Sequence, residues 1–222
     1  MQPQDSVKPA QWSVYYEHHR DRPASALLQA AIELAQPLPR SRQAIDLGCG
    51  SGNATRALMA AGWDVLAIDQ EPAAIAMTRA ISADYPGNQL AAVVQRFEAL
   101  ATLPGAALIH AGMSMPFCHP GHFEEFWATV RAALLPGGIF VGQFFGDRDG
   151  WASDPSRTFH SEPEVRALFS DFALINFEVH EYDGPSLRGT KHWHRLDVIG
   201  QRPVQHVETV GLAKVGSLSS EA

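Results

Sequence analysis

An α/β fold built on a doubly wound, mostly parallel sheet is what this chain predicts, and three observations predict it. Short apolar runs alternate with segments of helical periodicity, the order that calls for parallel strands covered on both faces by helices. The run Ala44-Ile45-Asp46-Leu47 leads straight into Gly48-Cys49-Gly50-Ser51-Gly52 and then into a helical segment, so a strand delivers a glycine-rich turn to a helix. The chain has 222 residues, 45% of them hydrophobic, enough for one full core and too few for two. Residues 1–202 are therefore expected to form a single domain with a helical N-terminal segment over 1–40, and 203–222 to be a loose tail.

Each element has a local reason. Leu27, Leu28, Ala31, Ile32 and Leu34 recur at helical spacing over 23–35, with Pro23 near the start, where its missing N–H costs least. Strand one spans 44–47. Its helix runs from about Asn53 to Ala61 and ends at Gly62, suited to a left-handed cap. Val65-Leu66-Ala67-Ile68 is strand two. Pro72 opens a helix carrying Ala74, Ile75, Thr78 and Ile81, which Pro86-Gly87 ends before strand three at 90–94. Strand four is 106–109. Phe123, Phe126, Trp127, Val130 and Leu134 follow the i, i+3, i+4, i+7 rhythm of an amphipathic helix, an aromatic stripe facing the core, and Pro136-Gly137-Gly138 stops it before strand five at 139–145. Ser161-Glu162-Pro163-Glu164 has the spacing of a capping box, opening a helix to about Phe169. Alternating Ala173, Ile175, Phe177 and Val179 form a sixth strand. After the turn-rich stretch 183–190 a seventh, 192–199, returns antiparallel.

Charge and composition exclude several classes. Lys and Arg number 17 against 24 Asp and Glu, a formal charge of −7, and the local basic stretch Lys191-His192-Trp193-His194-Arg195 alternates its faces as a strand. Nucleic acid is not expected as a partner. No apolar run approaches a membrane span, and the start of the chain lacks signal-peptide order, so a cytoplasmic protein is expected. Cys49 and Cys118 give no disulfide framework. The ten histidines fall in no His-Glu-x-x-His or Cys-x-x-Cys setting, so no metal site is expected. Gly-x-Ser-x-Gly, the hydrolase elbow, is absent.

The glycine turn does not satisfy G-x-G-x-x-G. Starting from Gly48 the third position is Asn53, and from Gly50 it is Thr55, which argues against a nicotinamide dehydrogenase. The chain reads instead Asp-x-Gly-x-Gly-x-Gly from Asp46 to Gly52, with Asp69 ending strand two and Leu135-Pro136-Gly137-Gly138 before strand five. In these four features, over about residues 40–200, it resembles the class I S-adenosylmethionine-dependent methyltransferases. The resemblance implies a Rossmann-like, seven-stranded sheet, S-adenosylmethionine as cofactor and S-adenosylhomocysteine as product. It implies that Gly48, Gly50 and Gly52 admit the cofactor backbone-close, that Asp69 holds the ribose hydroxyls with Gln70 beside it, and that Asp46 acts near the methionine ammonium, directly or through water. Phe97 and Glu98 follow strand three, where the family often contacts adenine, and Ala111 and Gly112 follow strand four.

Plainer readings stand beside these. Taken singly, Asp69 also reads as a helix N-cap ahead of Pro72 and the glycines as a tight turn without a ligand, readings that the joint spacing weakens, and Phe97 as a core residue with Glu98 its solvated neighbour. If the sixth strand is parallel, the loop 182–191 and the start of the last strand reach the cofactor edge, which makes His192 and His194 candidates for the chemistry, with Arg148 after strand five. Tyr16 joins them from an aromatic-rich N-terminal segment containing Trp12, Tyr15, His18 and His19, which in the resembled family often folds over the cofactor as a lid.

The loop from His110 to Cys118 lacks the Asn-Pro-Pro-Tyr or Asp-Pro-Pro-Tyr of methyltransferases acting on nucleobase amino groups or glutamine amides. Together with Met113, Met115, Phe117, Phe145 and Trp151, this favours a small-molecule acceptor, a soft or anionic one needing no base. The compact layout is similar, more weakly, to the tellurite-resistance methyltransferase group. A catalytically silent cofactor-binding sensor or partner subunit is the alternative.

Overall fold

The computed structural model describes residues 16, 19, 20, 22–35, 41–186 and 189–204. The expected lid over Trp12, Tyr15 and His18, and the tail beyond 204, lie outside the described residues. The elements are α1 (Ala26–Ala35), β1 (Gln43–Leu47), α2 (Asn53–Ala60), β2 (Asp64–Asp69), α3 (Pro72–Ala80), β3 (Leu90–Val94), β4 (Ala106–Ala111), α4 (Pro120–Ala133), β5 (Leu134–Phe145), α5 (Glu162–Leu168), β6 (Ala173–Ser186) and β7 (Gly189–Gln201).

One seven-stranded sheet runs β3-β2-β1-β4-β5-β7-β6. β1 to β5 pair in parallel, and β7 is antiparallel to both β5 and β6, so six strands share one direction. The chain leaves β1 toward β2 on one side and resumes with β4 on the other. The carboxyl ends of β1 and β4 thus border the crevice where this kind of sheet takes ligands. β1, β4 and β5 are buried along most of their length because helices cover both faces. One core packs α4 and α5 on the sheet through Phe126, Trp127, Phe140, Phe144 and Phe169; the other packs α1 and α2 through Leu28, Leu58, Met59 and Ile139.

Local sequence explains most boundaries. Gly62 is left-handed at φ 80° beyond the end of α2, and Arg42 Nε donates to its carbonyl at 2.6 Å. Pro72 opens α3 and Pro120 opens α4. The Glu164 carboxylate reaches back to the Ser161 N–H at 2.7 Å, as the capping-box spacing requires.

Two boundaries differ from expectation. Pro136-Gly137-Gly138 does not precede β5 but lies within it, as a bulge: Ala106 faces Leu134 while Leu108 faces Ile139, and the Gly137 N–H donates to the Arg202 carbonyl at 2.9 Å. The stretch 183–190 is largely strand, because Asp183 faces His192 and Ser186 faces Gly189 at the far end of the hairpin. Pro185 is tolerated there because β6 is an edge strand.

Candidate functional site

A cavity of about 800 Å³ opens at the carboxyl ends of the parallel strands. Its first half is built by the ends of β1, β2 and β4 and the residues after β3. Gly48, Gly50 and Gly52 all take positive φ, at 73°, 52° and 84°. Their reasons differ. A Cβ on Gly50 would meet the Tyr16 ring at 3.2 Å, on the cavity side, whereas one on Gly52 would meet Ile81 Cδ1 at 2.4 Å and Thr78 Oγ1 at 3.0 Å. Gly52 is off the cavity wall and permits close packing of the turn on α3. One on Gly48 would strike Ser114, whose hydroxyl donates to the Leu47 carbonyl at 2.6 Å and closes the turn from β4's side.

Asp69 is almost fully buried at the end of β2. Its Oδ2 accepts the Gly50 N–H and its Oδ1 the Glu71 N–H, each at 2.9 Å. Burial pushes its pKa up, and these N–H groups oppose that. Each oxygen keeps a further lone pair, and the residue lies on the cavity wall with Gln70. The helix-cap reading of Asp69 and the ligand reading therefore coexist: one carboxylate steadies the glycine turn, opens α3 and faces the cavity.

Asp46 is wholly buried. Thr55 Oγ1 donates to its Oδ2 at 2.6 Å and His110 Nδ1 stands 2.8 Å from its Oδ1, because β1 and β4 pair Asp46 directly with His110. A carboxylate only accepts, so Nδ1–H is the donor and Nε2 is the ring nitrogen left over. Nε2 lies 2.5 Å from where a Cβ on Gly112 would be, and both residues border the cavity. Ala111 does not: it is buried inside β4, with its carbonyl against Gly142. Next to Gly112, Met113 takes a strained φ of 54°, held by its N–H to Gln143 Oε1 at 2.9 Å.

Phe97 lies on the cavity wall with its ring stacked on Phe126 at 4.6 Å, so it is at once wall and core. Burial raises the Glu98 pKa, but backbone N–H groups, including that of His119 at 3.0 Å, and Arg96 outweigh it and leave it lowered. The Cys49 thiol, in the turn, is pushed well up by burial, and that of Cys118 to about 12.

The second half of the cavity is aromatic. Phe117, Phe145, Trp151, Tyr182 and Trp193 line it, with Arg195. Here the structure corrects the reading of the last strand. His192 and His194 do share a face with Leu196 and Val198, but the cavity lies on the other face, which presents Trp193 and Arg195. His194 is buried against Gly146 and accepts the Arg148 N–H at Nδ1, at 3.1 Å. His192 bonds Asp183 and Glu181 at the surface, and its pKa is raised by Asp183 first and then Glu181. Arg148 is exposed and bidentate to Glu181 at 2.9 and 2.8 Å. None of these three borders the cavity; Tyr16, the fourth candidate, does.

The set fits an adenosine-type cofactor: a carboxylate facing the cavity beside a glycine turn, an imidazole tied to Asp46 at the end of β4 and a flat ring after β3. Residues 44–138 match a family model described as a methyltransferase domain. Among curated relatives, Hemagglutinin 1 of Eikenella corrodens is 26% identical over 165 residues, 74% of this chain and 53% of that protein. Trans-aconitate 2-methyltransferase of Delftia acidovorans is 28% identical over 169 residues, 74% of this chain and 59% of that protein. This chain thus spans little more than half the length of these relatives. The crystal structure of TehB from Haemophilus influenzae superposes with a TM-score of 0.70 at 14% identity, covering 86% of this chain and 67% of that one. Over residues 44–138 the chain is thus similar to methyltransferase domains, and it shares the fold of TehB.

Proposed function

We propose that this protein transfers the methyl group of S-adenosylmethionine to a small anionic acceptor. The observation that carries this is Asp69, a buried carboxylate fixed by the N–H groups of Gly50 and Glu71 yet bordering the cavity, ready to accept both ribose hydroxyls. Phe97 and Glu98 flank the adenine position. At the other end Asp46 fixes the His110 tautomer, and Nε2 of His110 accepts the methionine ammonium. Asp46 itself lines the cavity and, like Asp69, keeps a further lone pair on each oxygen, so it serves the ammonium directly or through water beside His110.

The cofactor supplies an activated methyl carbon and a thioether leaving group. The protein's part is to hold the acceptor in line with that carbon and to keep water out. With the cofactor held there, an ionised acceptor would take the methyl group and the carbon–sulfur pair would stay with the departing thioether, so no residue would have to take a proton. The carboxylate acceptor named for one relative supports an anion. The formal charge of −7 supports a small molecule over nucleic acid.

Calorimetry with S-adenosylhomocysteine tests the site. Asp69→Ala should weaken binding at least about tenfold, or ~1.4 kcal/mol; unchanged affinity in a folded variant would refute the ribose assignment. Radiolabelled methyl transfer across carboxylates, phenols, thiols, amines, tellurite and selenite tests the acceptor class. Cofactor binding without any product would favour the silent domain.

A further inference from the structure

Two buried cations pack on the rings of the aromatic half of the cavity. Lys191 Nζ stands 3.7 Å from the Trp151 ring centre, 3.8 Å from that of Trp193 and 4.6 Å from that of Phe145. The Arg157 guanidinium stands 4.4 Å from Trp151 and 4.9 Å from Phe117. Both cations are only 8% exposed, and neither borders the cavity, whereas all four rings do. Asp149 and Asp154 hold the cations in place and are likewise off the cavity wall.

A ring's face is negative because of its π quadrupole, and that is what attracts a cation. Here that attraction is already taken up by Lys191 and Arg157. Each cation draws π density toward itself, which leaves the ring poorer in electrons for a further partner. Such a ring disfavours a second cation and favours an electron-rich planar system stacked on it. Arg195, which faces Phe145 across the β5–β7 pairing, borders this wall with its guanidinium held by Asp197 at 2.6 and 3.1 Å.

We propose that the acceptor is a planar conjugated anion, a carboxylate or phenolate in conjugation with a flat π system, bound face-on against Trp151 and Trp193. This rests on the methyl-transfer reading and specifies its acceptor. Amines, although common methyl acceptors, are disfavoured by the same wall.

The test uses the full chain saturated with S-adenosylhomocysteine, titrated by calorimetry and tryptophan quenching with three matched sets. Benzoate, 4-hydroxybenzoate and cinnamate are the planar anions; cyclohexanecarboxylate and cyclohexanepropanoate keep the charge without the conjugation; benzylamine and phenethylamine keep the ring and reverse the charge. At least one planar anion should bind tenfold or more tightly than every member of the other two sets. Equal or tighter binding by the saturated acids or the amines, or no binding by any planar anion, would overturn the proposal. Failure of S-adenosylhomocysteine itself to bind would instead overturn the methyl-transfer reading beneath it. The double variant Lys191→Met with Asp149→Asn removes the buried charge pair at similar volume. It should reduce the planar-anion preference at least fivefold and leave S-adenosylhomocysteine affinity unchanged. A folded variant that keeps the full preference would also overturn the proposal, and the wild-type comparison stands should the variant fail to fold.

Discussion

Single residues in the glycine turn carry separable duties. Gly52 is required by its φ of 84° and by Ile81 and Thr78, not by the cavity. Gly52→Ala should therefore destabilise the fold by about 1–3 kcal/mol in urea unfolding, from a non-glycine φ and a forced contact; a loss below about 0.5 kcal/mol would remove the packing argument. Asp69 was legible in the sequence because a carboxylate ending the second strand after a glycine turn is a local pattern. His110 was not, because its importance comes from facing Asp46 across the β1–β4 pairing, 64 residues away in the chain. His110→Asn should weaken S-adenosylhomocysteine binding about fivefold or more by loss of one acceptor, while 5′-methylthioadenosine, which has no ammonium, binds as before. Equal weakening of both ligands would exclude the ammonium role.

At the scale of elements, the β6–β7 hairpin extends past the body of the sheet and is tied by charge. Glu181 holds Arg148 and His192, and the Arg148 bonds first, then that of His192, bring its pKa from 4.5 down to about 2. A depressed carboxylate stabilises the fold above its unfolded pKa, and that contribution disappears as pH falls from about 4.5 toward 2. Faster amide exchange in 178–186 and 189–195 over that range, absent in Glu181→Gln, is the expected signature. The face of β7 that meets the cavity was not legible. Alternation assigns residues to two faces, but only the packing of α4 and α5 on the Leu196 side decides which face the cavity takes. The α4 stripe, by contrast, was plain in the sequence. Trp127 meets Phe140, Phe144, Phe169 and Phe172 at ring separations of 5.0–6.4 Å, and Trp127→Ala should cost about 3–5 kcal/mol.

For the molecule as a whole, alternating strands and helices call for a parallel sheet covered on both faces, so that much was readable from pattern, while the order of the strands was not. The cavity's aromatic half was not, since Phe117, Phe145, Trp151 and Trp193 come from separate elements that only the closed sheet brings together. Binding confined to the folded state raises its stability. S-adenosylhomocysteine at a hundredfold over its Kd should add about 2.7 kcal/mol. In a chain of this size that is a rise in Tm of about 5–10 °C. A thermal scan showing no rise at saturation would contradict a site that exists only in the native fold.

The last strand runs against its neighbours and so enters the cavity with its first residues, while the hairpin that carries it lies at the sheet's margin. The hairpin's share of the cavity wall, Tyr182, Trp193 and Arg195, thus hangs on an edge, whereas the glycine turn and Asp69 are set in the middle of the sheet. Evolution can exchange one without disturbing the other. Grafting residues 180–195 from a relative with a different acceptor should move selectivity toward that acceptor and leave S-adenosylhomocysteine affinity within about twofold, by calorimetry.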